Sequence, residues 1–210
     1  VIKLELSKLQ SEFYCMELYR VIFNYREYEV IKFESPDFII WKKNVEKVGI
    51  EATTPSNEDQ NLLKNIANNG SREKLGDKYS YEKYKRDGKI YSDGVLIQSS
   101  SSRDIHDIIL KGIEKKFIKL NKNYTLFNKN ILCCTPISVF LNNEDDHNYF
   151  IEGLNKIKSK YKIIFDEVIV IMYDRVVRYS LNEERNYIFE NDMDLSKELI
   201  REVIDLISKD

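Results

Sequence analysis

Glycine and proline are scarce, at 7 and 3 of 210 residues. So few glycines leave little material for a phosphate-cradling loop, and neither a P-loop nor a dinucleotide fingerprint is present. Cysteine is equally sparse: Cys15, Cys133 and Cys134 make no disulfide framework. Two of them are adjacent, so on one strand they point to opposite faces. The only histidines are His106 and His147, and neither stands at zinc spacing from a cysteine or from the other, which argues against a structural zinc site. No serine sits in a nucleophile-elbow glycine pattern. No apolar run is long enough to span a bilayer, and no charged-then-apolar segment opens the chain. The expectation is therefore a cytoplasmic protein without membrane contact. Neither sign of charge dominates: the formal net charge is −2, which offers nucleic acid no global attraction. A carboxylate-lined site subtracts from that sum, however, and a basic patch can be local.

What is present is the composition of a globular protein, 42% hydrophobic and 32% charged. The length predicts a single domain over residues 1–210, with an insertion at about 54–102 and a terminal helix at about 194–208. The organising stretch is residues 35–53, Ser-Pro-Asp-Phe-Ile-Ile-Trp-Lys-Lys-Asn-Val-Glu-Lys-Val-Gly-Ile-Glu-Ala-Thr. Its apolar and β-branched runs at 38–42 and 48–53, separated by a polar turn, predict two strands of a hairpin. Asp37 opens the first strand and Glu51 lies near the end of the second. Antiparallel pairing brings both carboxylates to one end of the sheet, a seat for a hard divalent cation such as Mg²⁺, with Mn²⁺ as a substitute.

Pro36-Asp37, a hydrophobic strand and then Gly49-Ile50-Glu51-Ala52-Thr53 resemble the core motif of the restriction-endonuclease-like, PD-(D/E)XK, nuclease superfamily. One residue departs from the pattern: Thr53 stands where the family has its lysine. The resemblance implies an α/β (α+β) fold with the core order helix, three strands, helix, strand, and a mixed central sheet flanked by helices. It implies Mg²⁺-dependent hydrolysis of phosphodiesters in DNA, with the metal held by Asp37, Glu51 and the backbone carbonyl of Ala52. The first helix of the family often adds an acid, and Glu17 or Glu12 fills that place here. In some branches the following helix supplies the missing lysine, and Lys116 is the candidate. Loss of the strand lysine equally fits an inactive module of the same fold that binds nucleic acid or a partner protein. A homodimer or a partner in a defence or repair complex belongs with either reading.

Residues 1–23 read as a first helix, with Ile2, Leu6, Leu9, Phe13 and Met16 on one stripe. Glu17 and Arg20 fall on or beside that stripe and Glu12 on its flank. An ion pair of Glu17 with Arg20 explains the position as well as a metal does. Residues 27–33 alternate as a strand. In the insertion, residues 58–67 suggest a short helix. Beyond them Lys83, Tyr84, Lys85, Arg86 and Lys89 interleave cations with an aromatic ring, a means of gripping nucleic acid, although ordinary packing of a surface insert has the same composition. A helix is predicted from Ser101, capped with Asp104, to about Leu120. Its stripe is Ile105, Ile108, Ile109, Gly112, Ile113 and Leu120, with Lys116 in the middle and Lys111 and Lys115 pointing away. A lysine there either reaches a carboxylate or snorkels to solvent near the helix end. Residues 130–135 and 166–174 read as buried strands, 145–161 as a helix and 175–181 as a further strand. Asp194 is read as the cap of the terminal helix, and the acidic pairs Asp145-Asp146 and Asp166-Glu167 as solvated caps.

Overall fold

The computed structural model describes residues 8–55, 102–135, 141, 144–172, 175–181, 189–194 and 197–207. Seven strands make one mixed sheet in sequence order. They are β1 (Glu29–Lys32), β2 (Phe38–Trp41), β3 (Lys47–Thr53), β4 (Lys129–Cys134), β5 (Glu167–Ile171), β6 (Arg175–Ser180) and β7 (Phe189–Asp194). Pairing is antiparallel from β1 to β3, parallel from β3 to β5 and antiparallel again to β7. Four helices are described: α1 (Lys8–Ile22), α2 (Ser102–Leu120), α3 (Glu144–Lys158) and α4 (Lys197–Ile207). Among the described residues the class is α+β, and the order opens with a helix, three strands, a helix and a strand.

Strand alternation distributes the core to two faces. Phe38, Ile40, Val48, Ile50, Ile131, Cys133 and Ile169 lie against α1 and α4. Leu132, Cys134, Val168 and Val170 lie against α2 and α3, with Phe117, Phe150 and Phe165 filling the space between. Cys133 and Cys134 do face opposite layers, and all five residues of β5 are buried.

Local chemistry sets the boundaries. Asn24 takes a left-handed φ of 62° after α1, and the N–H of Tyr25 returns to the carbonyl of Arg20 at 2.7 Å. That is the bond pattern of a Schellman stop, with asparagine in the usual place of glycine. Asn44, also at φ 62°, turns the chain between β2 and β3. Gly49 leaves room for Pro36 and Phe127, since a Cβ there would stand 2.9 Å from a ring atom of each. That close approach seats Pro36, and with it Asp37, against β3.

Several expectations are corrected. Leu9 is 53% exposed rather than inward; Met16 is buried and Phe13 packs on the core as expected, and α1 also buries Cys15, Leu18, Tyr19 and Val21. Asp194 ends strand β7, which the sequence pattern did not reveal, and the helix starts only at Lys197. Asp146 and Glu167 are not solvated caps but buried, Glu167 being held by Lys129 at 2.7 Å and Arg178 at 2.6 Å. Asp166 accepts the Asn130 N–H at 2.7 Å, which ties β4 to β5. Residues 58–67, Leu195, Ser101 and the side chain of Asp104 lie outside the described residues.

Candidate functional site

The β2–β3 register places Phe38 opposite Ile50, so one step further Asp37 stands opposite Glu51. Because Ile50 and Ala52 face α1, Glu51 points to the α2 side, where a carboxylate needs a partner. It is fully buried, and α2 supplies two cations. Lys116 Nζ donates to Glu51 Oε1 at 2.6 Å, and Lys119 Nζ reaches Oε1 at 2.8 Å and Oε2 at 3.0 Å. The inward lysine of the helical stripe therefore meets the strand acid. Lys119, one turn further on, does so too; it falls inside the same helical stripe, between Ile108 and Gly112, and the sequence reading did not single it out.

Asp37 Oδ2 accepts the backbone N–H of Ala52 at 2.8 Å, which holds it beside Glu51. Burial raises the Asp37 carboxyl above its ordinary 3.8, and the charges of Glu51 and Glu12 push the same way, against the lowering by the Ala52 N–H and by Lys116. The Tyr124 hydroxyl is buried without a hydrogen-bond partner, and its acidity is suppressed first by burial and then by Glu51 and Asp37. No periodicity marks Tyr124, which follows the end of α2. Cys15 is fully buried, with its thiol pushed up to about 12 by burial and only partly relieved by Thr135, so it is no nucleophile.

A cleft of about 260 Å³ opens over this end of the sheet, lined by Ser11 and Glu12 of α1, by Ala52, Thr53 and Thr54, and by Lys116 of α2. Its rim is tied together by threonine hydroxyls. Thr54 Oγ1 lies 2.9 Å from Thr135 Oγ1, and the Thr135 N–H donates to the Thr53 carbonyl at 2.9 Å. Thr53 thus lines the cleft with a small polar side chain.

The two acids proposed in the first helix separate. Glu12 lines the cleft while holding Lys32 at 2.8 Å. Glu17 is outside the cleft lining and pairs with Arg20 at 2.6 Å; Arg20 in turn donates to the carbonyls of Tyr25, Arg26 and Tyr28. Lys83, Tyr84, Lys85, Arg86 and Lys89 lie outside the described residues.

Among the described residues, no group of three or more His, Cys, Asp or Glu side chains is drawn together as metal ligands. The donor chemistry nonetheless suits a hard cation. Two neighbouring carboxylates, one of them raised first by burial and then by the other's charge, are the pair that a divalent ion relieves. Among the described residues no helix is long and apolar enough to cross a membrane. Compared with protein-family models, with curated proteins and with solved structures, the chain matches none.

Proposed function

We propose that this chain is a metal-dependent nuclease of the restriction-endonuclease-like type, hydrolysing phosphodiester bonds in DNA. The observation that carries the reading is the meeting of Asp37, Glu51 and Lys116 at one end of the sheet, from two strands and the following helix. Among the described residues, the opening order of helix, three strands, helix and strand matches the order the resemblance implies. Asp37, Glu51, the Ala52 carbonyl and Glu12 would hold Mg²⁺ or Mn²⁺. When bound, the ion supplies charge that polarises the scissile phosphate and makes water a stronger acid. Lys116 does what the strand lysine does elsewhere in the family: its ammonium orients the attacking water and offsets the charge that builds on the phosphorane. The attacking water gives up a proton to solvent as its oxygen forms the new P–O bond, the ester P–O bond breaks, and the departing alkoxide takes up a proton from solvent. Thr53 offers the cleft a hydroxyl in place of the second charge.

A second reading is an inactive module of the same fold that binds nucleic acid or a partner protein. It is favoured by Thr53 and by the engagement of both Glu51 oxygens with Lys116 and Lys119. Plasmid nicking with Mg²⁺ separates the two. The nuclease reading expects Asp37→Ala to abolish nicking and Lys116→Ala to slow it about 10²- to 10³-fold, the usual cost of removing one charge-stabilising donor. Full activity in both variants would discard the site.

A further inference from the structure

The exposed side of α2 differs from those of α3 and α4. On α3 the exposed residues are Glu144, Asp145, Asn148, Glu152 and Lys156, and on α4 they are Glu198, Arg201 and Asp205, so both mix charges or favour acids. On α2, beyond Asp107, the exposed residues are Lys111, Lys115 and Ile118, and Lys122 follows in the turn after the helix. At steps of three and four these residues share one ridge. Lys119 and then Lys116 continue it sideways toward β3, where both reach the buried Glu51, and Lys116 also lines the cleft. The acids flanking the ridge are engaged elsewhere: Glu114 holds Lys160 at 2.9 Å and Asp107 accepts from Tyr149 at 2.9 Å. Helix-dipole compensation accounts for cations in the last turn, which covers Lys119 and Lys122 but not Lys111 and Lys115 in mid-helix.

We propose that this lysine ridge is a phosphate-backbone track, along which a nucleic-acid strand lies as it enters the cleft. The track deepens the nuclease reading and rests on it. A single-signed ridge on a chain of net charge −2 concentrates the attraction where the carboxylates act, and it orients a polyanion that the whole molecule would otherwise repel. Ile118, 38% exposed on the same ridge, gives a sugar edge an apolar surface between phosphate contacts. Lysine contacts to phosphate carry no sequence information, so binding through the ridge is indifferent to sequence.

The test uses fluorescence anisotropy of a labelled DNA duplex of about 20 base pairs, and of one of its strands alone, over about 50–200 mM salt. The wild type is compared with Lys111→Gln/Lys115→Gln/Lys122→Gln. A charge-matched control, Lys43→Gln/Lys47→Gln/Lys156→Gln, alters exposed lysines away from the ridge. The track predicts that the ridge variant binds at least about tenfold more weakly and that its log-affinity salt slope falls by about 2–3, roughly 0.9 per phosphate contact on a duplex. The control keeps the wild-type slope, and the form of DNA showing the larger loss is the one the track takes. If the ridge variant binds as the wild type does, or the control loses as much, the track is overturned while nicking still judges the cleft separately. If the wild type binds neither form at low salt, the track and the nuclease reading fall together, and a protein partner takes their place.

Discussion

Asp37 sits where ionisation is unfavourable, and that has a consequence for stability. A carboxyl whose folded value lies above its ordinary 3.8 is more protonated folded than unfolded. Its contribution to stability is therefore greatest in acid and falls as pH rises through that interval. Asp37→Asn removes the charge and keeps an oxygen to accept the Ala52 N–H. The expected outcome is a higher Tm than wild type at pH 7 in metal-free buffer, a gap that closes toward acid, and no nicking. Thermal melts across pH check it. Glu51 gives a second prediction. Its two lysines are 24% and 35% exposed while it is wholly buried, so either lysine alone leaves the carboxylate a partner. Lys116→Met or Lys119→Met should each cost little, whereas the double variant should lose about 3–5 kcal/mol, more than the sum of the two. Urea unfolding of the four proteins measures the coupling. At this scale the sequence made Asp37, Glu51 and Lys116 legible, because a Pro-Asp before a strand, an acid among apolar neighbours and a lysine inside an apolar stripe are each out of place. Lys119 stands inside the same stripe and was legible by the same rule, whereas Tyr124 sits in an unremarkable position. Only the path of the chain after α2 brings Tyr124 to the acids.

The placement of α2 decides whether its lysines reach β3, and Gly112 sets that placement. A Cβ on Gly112 would stand 2.8 Å from Pro55 Cβ and 2.9 Å from its Cγ, and the proline ring cannot swing aside. Gly112→Ala should force the helix away from the end of β3, cost about 1–3 kcal/mol despite the better helix propensity of alanine, and reduce nicking by loosening Lys116. Denaturant unfolding and a nicking assay on one preparation test this, and an alanine variant as stable as wild type would contradict it. The spacing of Ile105, Ile109 and Ile113 made α2 readable as an element, and Gly112 was readable as part of its inward face. What lies opposite a glycine is not encoded locally. Strand β7 escaped because Phe-Glu-Asn-Asp-Met-Asp at 189–194 carries acids where strands are usually apolar. Its pairing with β6, not its own propensity, makes it a strand.

Across the molecule the sheet order follows the chain order, with β4 and β5 at the centre and β1 at an edge. Residues of β4 and β5 are almost wholly buried, whereas β1 is largely exposed, with Ile31 46% open. Native-state hydrogen exchange should therefore find the slowest amides in β4 and β5 and early exchange in β1. The site sits between these extremes, on β3 and the start of β2, so it is backed by the stable centre and open toward the edge. Most of the described helices and strands could be read one by one from hydrophobic periodicity, whereas the α+β class and the core order came from the resemblance. The sequence of neighbours in the sheet could not be read, since it depends on long-range pairing of strands with similar composition. The central claim is that Asp37 and Glu51 together hold a divalent cation at the end of this sheet. Calorimetric titration of the wild type and Asp37→Asn with Mn²⁺ tests it most directly. The account predicts saturable binding by the wild type and its loss in the variant, whereas a folded wild type that gives no binding heat, or a variant that binds equally well, contradicts it.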